Sequence, residues 1–451
     1  MKHLGVIPFR NLFNWSVAYH LSLENPYSNK YPLVTMGEIL RRNKTVVNVK
    51  DDIAYKRVTI STLGKGVSVR DKLIGKFIGT KKQFAIKPGQ FIVSKIDARN
   101  GAFGVVPQEA DDAIITGNFW TFDVDYNQID PFYLALLTRT KEFTAFCEKA
   151  SNGTTNRHYL QEHLFLSQQI PLPSIAEQNK IVAAYNDTLT NADKCLQESR
   201  DINDQIEAYL YKKLSMQTME EKQINTSLTY LHFFQFKNIK EWGFDKILGT
   251  NNKLLYSSVY PNVKLGDVLQ INPRTELKSL IEDTEISFIP MECVSDNYGE
   301  VIKKMTCKKA ESKGYTKFTN GDIIWARITP CMQNGKSAVV TNLVNNYGCG
   351  STEFHVLRNN DININTLYIH HLLRMPVVLK DAQKSFTGSA GQQRVPKNYL
   401  ENLRIPLPPL YLQNEIVEHI AALRTEQKEL RQKALLLRQQ ATQQFEQTIF
   451  N

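Results

Sequence analysis

Cysteine is scarce in this chain: six residues in 451, Cys147, Cys195, Cys293, Cys307, Cys331 and Cys349, with no CxxC pair among them. That scatter gives neither a disulfide framework nor a zinc site. Long apolar runs are also missing. None approaches the ~20 residues a membrane span needs, so no membrane partner is expected. The opening "MKHLGVIPFRNLFNW" lacks a signal-peptide apolar core and a small-residue cleavage site, which makes the cytoplasm the expected location. What remains is an ordinary soluble composition, 42% hydrophobic and 22% charged, which excludes a disordered chain. At 451 residues it is too long for one ordinary core and suits two or more domains.

Signatures of chemistry are equally thin. "NGKS" at 334–337 ends like a phosphate-binding loop, but Pro330 stands where the first glycine should be. The following "AVVTNL" reads as strand, which leaves no helix N-terminus for a phosphate. "DPFY" at 130–133 is near an adenine-methyltransferase signature but lacks its second proline. Asp130 and Pro131 read better as the N-cap and first residue of a helix. "GKG" at 64–66 is too short to signal S-adenosylmethionine. His370 and His371 are adjacent on a predicted helix and diverge, a poor geometry for a metal. The expectation is a non-catalytic chain with no metal and no cofactor of its own.

What is present is a repeat. "IPLPSIAEQNKIV" at 170–182 returns as "IPLPPLYLQNEIV" at 405–417, identical at eight of thirteen positions and offset by 235. Other pieces recur at nearly the same distance. "YPLVTMGEIL" at 31–40 answers "YPNVKLGDVL" at 260–269, and "KPGQFIVSKI" at 87–96 answers "TNGDIIWARI" at 319–328. "IDPFYLALL" at 129–137 answers "INTLYIHHLL" at 364–373, and Trp15 answers Trp242. Drift in the offset is what insertions in surface loops produce. Each half therefore reads as a mixed region with Gly-opened strands, a short helix and a Gly-rich turn ("SNGTTNR" at 151–157, "TGSAGQQR" at 387–394). Prolines and a long helix follow.

Pro171, Pro173, Pro406, Pro408 and Pro409 hold the chain extended and forbid a helix until they are passed. Beyond them, Ile416, Ile420, Leu423, Gln427, Leu430, Ala434, Leu437 and Ala441 step by alternating fours and threes, a coiled-coil seam. The first copy gives Ile181, Tyr185, Thr188, Ala192, Cys195, Ser199, Ile202 and Ile206, with Leu189, Leu196 and Leu210 widening the stripe. Both seams mix small and polar residues with large ones, so the two helices are expected to pair with each other. Each would run roughly 50 Å at 1.5 Å per residue, longer than one B-DNA turn of about 34–36 Å. Antiparallel pairing creates an approximate two-fold axis, matching duplex DNA with two half-sites around an unread stretch. Residues 41–83 and 270–314 hardly resemble each other, so the two half-sites would differ.

Together the paired proline-to-helix boundaries, the repeated Gly-strand pieces and the Gly-rich turns resemble the specificity subunits of Type I restriction–modification systems. The resemblance covers essentially the whole chain. "SKIDARNGAFGVVP" at 94–107, "ARITPCMQNGK" at 326–336 and "GSTEFHVLR" at 350–358 are similar to stretches common in target-recognition domains. One departure stands out: Glu177-Gln178 after the first prolines becomes Leu412-Gln413 in the second copy. The resemblance implies an α+β fold of two mixed α/β target-recognition domains joined by two long helices in an antiparallel coiled coil, a pseudo-two-fold tandem repeat. The expected segments are a first domain at 1–172, a helix at 173–215, a second domain at 216–407 and a helix at 408–451. The implied partners are double-stranded DNA, two methyltransferase subunits carrying S-adenosylmethionine, and restriction subunits using ATP and Mg.

Net charge of +10 permits a polyanion partner. Phosphate contacts need Lys and Arg, and base reading needs planar bidentate groups. In the first half the candidates are Tyr55, Lys56, Arg57, Lys65, Arg70, Lys81, Lys82, Lys95, Arg99, Asn100, Asn156, Arg157 and His158. In the second they are Lys303, Lys304, Lys308, Lys309, Lys313, Lys317, Arg327, Gln333, Asn334, Lys336, Gln392, Gln393 and Arg394. Lys95 with Arg327, and Arg157 with Arg394, are basic in both halves, which equally fits duplicated structural ion pairs. A scaffold that binds partner subunits without touching DNA is the rival reading. An acidic DNA mimic is disfavoured by the basic charge, and an RNA binder by the lack of an RNP-type aromatic signature.

Overall fold

The structure, a computed structural model, describes residues 26–154, 157–216, 254–388 and 391–451; Trp15, Trp242 and Asn156 lie outside them. It divides into two compact units, Met1–Cys195 with Gln432–Asn451, and Leu196–Arg431. Each long helix is thus divided between the units.

Both units are built on one frame. In the first, a four-stranded antiparallel sheet runs in the order 40–43, 119–124, 91–94, 103–105; in the second the order is 270–271, 354–358, 323–326, 337–339. Glycine opens the buried inner strand in each case, Gly89 at φ 81° before Phe91–Ser94 and Gly321 at φ 85° before Ile323–Ala326. All four residues of each strand are buried, so the short apolar run is a core strand. A two-stranded ribbon closes each frame, 33–35 with 169–171 and 262–264 with 404–406, both antiparallel. Two short helices complete it: Pro131–Leu137 and Lys141–Lys149, and Thr366–Leu373 and Pro376–Lys384. Asp130 caps the first, its carboxylate accepting the Phe132 N–H at 2.7 Å.

The long helices are Ile175–Lys213 and Leu410–Phe450. Ser174 Oγ accepts the Glu177 N–H at 3.3 Å where the first begins, satisfying one of the four orphan donors of a helix start. Along the second seam Ile416, Ile420, Gln427, Ala434 and Ala441 are buried, with Leu423, Leu430 and Leu437 half-buried between them. Along the first, Ala192, Cys195, Ser199, Ile202 and Ile206 are buried, and Ile181, Tyr185 and Thr188 are half-buried. The pairing is antiparallel inside each unit. In the first, Asp193 meets Arg438 at 2.6 Å, and Val182 shares a core with Phe445 and Ile449. In the second, Ser199 meets Gln427, the Tyr209 ring lies tilted with its centre 4.0 Å from that of His419, and Lys213 meets Glu415 at 2.6 Å.

Neither helix stripe is left to pair only with the other. The core of the first unit interleaves Phe91, Phe122, Phe143 and Phe165 with Tyr133 and the helix residues Phe445 and Ile449. The core of the second joins Trp325 and Tyr368 to Ile202, Ile206, Leu210, Leu412, Ile416 and Ile420. Each large buried side chain contributes on the order of 1.5–3 kcal/mol relative to exposure, which anchors the helices to the domains.

Outside the frame the units part company. The first carries a five-stranded sheet in the order 46–48, 82–85, 114–115, 54–61, 66–74. The second carries four strands in the order 305–308, 285–289, 347–350, 316–319. Strands 46–48, 54–61 and 66–74 of the first insert and 285–289 and 305–308 of the second fall in the stretches whose sequences fail to match.

Candidate nucleic-acid interface

Each frame is tied to the start of its long helix through a small set of duplicated polar contacts. Gln178, fully buried, accepts the Asp130 N–H at 2.8 Å and donates to the carbonyls of Gln128 at 2.9 Å and Pro173 at 2.8 Å. Gln413 repeats this with the Asn365 N–H at 2.8 Å and the carbonyls of Asn363 at 3.2 Å and Pro408 at 2.8 Å. The Tyr133 hydroxyl donates to Pro171 O at 3.0 Å, and Tyr368 to Pro406 O at 2.7 Å. A buried amide with all its bonds made is rigid and costly to remove. The glutamine of the post-proline pair is therefore a structural pin. Its neighbour is free to vary: Glu177 is half-buried while Leu412 is buried in the core. This function was legible only as a repeated Gln in the sequence.

Many of the predicted cations prove to be engaged within the fold. Arg57 forms a two-pronged pair with Asp71, both bonds at 2.7 Å, and Arg70 lies 3.3 Å from the same carboxylate. Asp71 is held below the usual carboxylate range by that hydrogen bond from Arg57. Lys56 donates to the carbonyls of Glu109 and Asp111, and Lys81 pairs with Asp51 and Gly75 O. The Tyr55 hydroxyl accepts the Lys50 N–H at 3.0 Å. In the second insert Lys308 pairs with Asp283 at 2.9 Å, Lys309 with Glu282 at 3.0 Å, and Lys336 donates to Met291 O at 3.1 Å.

Others stay available. Lys65, Lys82, Lys303, Lys304 and Lys313 are exposed and form no ion pair among the described residues. Asn100, Asn334 and Gln392 are exposed, while Arg99, His158, Lys317 and Gln393 are half-buried. Asn100 lies at the edge of a bond to Asp97, 3.4 Å, and Gln333 Oε1 accepts the Thr329 hydroxyl at 2.5 Å. Lys65, Asn100, Asn334 and Gln392 sit at turns or loop ends, whereas Lys82, His158 and Lys317 lie on strands.

The basic positions shared by the halves differ in kind. Lys95 N–H donates to Asn118 O and its carbonyl accepts Leu160 N–H, both at 2.9 Å. Arg327 makes the same backbone bonds, to Glu353 O at 2.9 Å and from Val395 N–H at 2.8 Å. This register aligns Val395 with Leu160, so Arg394 corresponds to Tyr159, and Arg157 to Gln392; the sequence pairing of Arg157 with Arg394 is corrected. In the second unit Glu353 takes two bonds from Arg394, at 2.7 and 2.9 Å, and one from Arg327 at 3.3 Å. The Arg394 hydrogen bonds hold its carboxyl below the usual range. The first unit has Asn118 where that acid stands. Lys95 accordingly has no ion pair among the described residues, and burial, with Arg42 nearby, holds it below the usual lysine range. No sequence signal marked Glu353, because its counterpart is uncharged.

The remaining decoys resolve structurally. His370, whose Nε2 lies 3.0 Å from Ser337 Oγ, is buried and His371 is half-buried, and desolvation holds both well below the usual histidine range. No cluster of three or more metal-ligating side chains occurs among the described residues, and no helix among them is long and apolar enough to cross a membrane.

Two domains on one frame, each with its own insert and shared antiparallel helices, define a class of tandem recognition proteins. The chain belongs to the Type I restriction modification DNA specificity domain family, whose model matches residues 28–208 and 258–436. It is 40% identical over 172 residues to the Type I restriction enzyme EcoAI specificity subunit of Escherichia coli, covering 38% of this chain and 29% of that one. The Type I restriction enzyme EcoEI specificity subunit of Escherichia coli is 39% identical over 156 residues, 34% of this chain and 26% of that one. Both matches thus span less than a third of those relatives. A solved chain from work on complex assembly and conformational transition of the type I R-M system aligns with TM-score 0.56 at 16% identity, over 93% of this chain and 96% of that one. At that identity the likeness is one of fold.

Proposed function

We propose that this chain is the DNA-recognition subunit of a Type I restriction–modification complex. One insert reads one half of a bipartite, asymmetric target and the other insert reads the second half. It gives the address for adenine-N6 methylation performed by two docked methyltransferase subunits carrying S-adenosylmethionine. Restriction subunits with ATP and Mg join the same assembly, in the cytoplasm. The chain itself performs no chemistry.

The observation that carries this reading is the contrast within each unit. Frame contacts repeat atom for atom, Gln178 like Gln413 and Tyr133 like Tyr368, while the inserts differ in strand number and order. A constant mount with two unlike heads fits two unlike half-sites. Exposed lysines on both heads, Lys65 and Lys82 on one and Lys303, Lys304 and Lys313 on the other, suit a phosphate backbone. Asn100, Asn334 and Gln392 have the planar groups that discriminate bases.

Single-molecule sequencing of N6-methyladenine in the native genome, with and without the gene, tests it. Loss of methylation from one bipartite motif is expected and gives both half-sites at once. An unchanged methylome, with the partner methyltransferase expressed, would leave the scaffold reading in its place.

A further inference from the structure

The tip of the first insert's long hairpin, between strands 54–61 and 66–74, carries a residue that neither folding nor solubility explains. Leu63 has φ 59°, a left-handed conformation, and is 79% exposed. Turns of this kind take Gly, Asn or Asp at little cost, whereas a leucine is strained there. Strain of this sort is normally offset by burial, and Leu63 has almost none.

Its position is nevertheless fixed from three sides. The Leu63 N–H donates to Asn100 O at 2.8 Å, and the Gly64 N–H to Gly101 O at 3.0 Å. Gly64, at φ 66°, lies so close to Arg139 that a Cβ would stand 2.3 Å from its Cγ. The side chain is therefore presented outward from a rigid mount. Around it stand Lys65, Asn100 and Arg139, all exposed. The two more exposed isoleucines have different surroundings: Ile281, 74% exposed, precedes Glu282 and Asp283, and Ile362, 89% exposed, follows Asp361; Ile302, 61% exposed, precedes Lys303 and Lys304.

We propose that Leu63 is a base-reading residue of the first half-site, its apolar tip resting on a thymine C5-methyl in the major groove while the cations around it hold phosphates. The inference rests on the DNA-recognition reading above. A lone leucine is too little surface for a protein interface, but thymine's methyl is the one apolar mark the major groove displays. Leu63 thereby joins Asn100, to which its backbone is bonded, in a single reading turn.

The test uses the full chain with its methyltransferase subunits and duplexes bearing the motif identified by methylome sequencing. Each thymidine is replaced in turn by deoxyuridine, which deletes only the methyl group, and equilibrium binding is measured for wild type, Leu63→Asn and Leu63→Met. Asn accepts the left-handed backbone, so Leu63→Asn should melt at or above the wild-type temperature. One deoxyuridine in one half-site should weaken wild type and Leu63→Met about fourfold, the worth of one buried methyl group. Leu63→Asn should be weak on the parent duplex and indifferent to that replacement, with unchanged binding to unrelated DNA. Equal deoxyuridine responses in wild type and Leu63→Asn at every position, or equal losses on specific and unrelated duplexes, would overturn the assignment. Absence of any motif-dependent binding by wild type would instead overturn the parent reading.

Discussion

The two halves of this chain are alike where they hold and unlike where they reach out. In both, a buried glutamine ties the start of a long helix to the loop before a short helix, through the same three kinds of bond. In both, an arginine after the first short helix lies against a left-handed glycine of the insert: Arg139 beside Gly64, Arg374 beside Gly299. Yet Arg139 is exposed beside a solvent-facing turn, while Arg374 donates to Asp296 and Asn297 in a loop that docks on the second helix through Tyr298 and Glu300. The lesson is that a frame can stay constant while its fixing points serve unrelated inserts: in the first half backbone N–H groups of the insert donate to frame carbonyls, and in the second a frame arginine donates to backbone carbonyls of the insert.

The strongest test of that likeness is the glutamine pin. Gln178→Ala and Gln413→Ala should each cost about 2–4 kcal/mol, since each strands a buried N–H and two carbonyls. Denaturant unfolding of both variants should give matching losses, and a several-fold disparity would show that the repeat is no longer mechanically equivalent.

The helix seam sharpens the contrast. Buried Gln427 donates to Ser199 O at 2.7 Å and accepts from Arg424 at 2.7 Å. The positions related by the repeat, Ala192 and Ala434, are buried alanines. Gln427→Ala should cost about 1–2 kcal/mol by leaving Arg424 short of a partner. Ala192→Gln should cost about 1–3 kcal/mol by overpacking a site with no polar match. Thermal melts of the two variants decide it.

Glu353 offers a pH test of the same asymmetry. Its folded carboxyl titrates below the usual value, so its contribution is present above about pH 4.3, the unperturbed glutamate value, and disappears as pH falls through the depressed one. Glu353→Gln should therefore destabilise at neutral pH and converge on wild type in acid. Asn118→Gln in the first unit should show no such convergence. A stability difference for Glu353→Gln that is constant down to strongly acidic pH would break the argument.

The smallest effects belong to the inserts' surfaces. Lys303→Ala and Lys304→Ala should leave stability within about 0.5 kcal/mol and lower the salt dependence of DNA binding by about one ion each. Arg57→Ala should do the reverse, since Arg57 is committed to Asp71.

The sequence alone determined a good deal. Repeated prolines dictated where both long helices begin, alternating apolar spacing predicted the seams, and Gly89 and Gly321 marked buried inner strands. These are local rules, set by backbone sterics and periodicity. Tertiary structure decided which cations are free. Arg57 and Lys65 look alike in sequence, but Arg57 meets an acid fourteen residues away across a hairpin, and Lys65 meets none among the described residues. Glu353 reaches Arg327 and Arg394 only because three separate segments converge. Sequence spacing fixes what a strand or helix presents on its own, whereas partnership depends on contacts between residues far apart in the chain, which only the fold brings together.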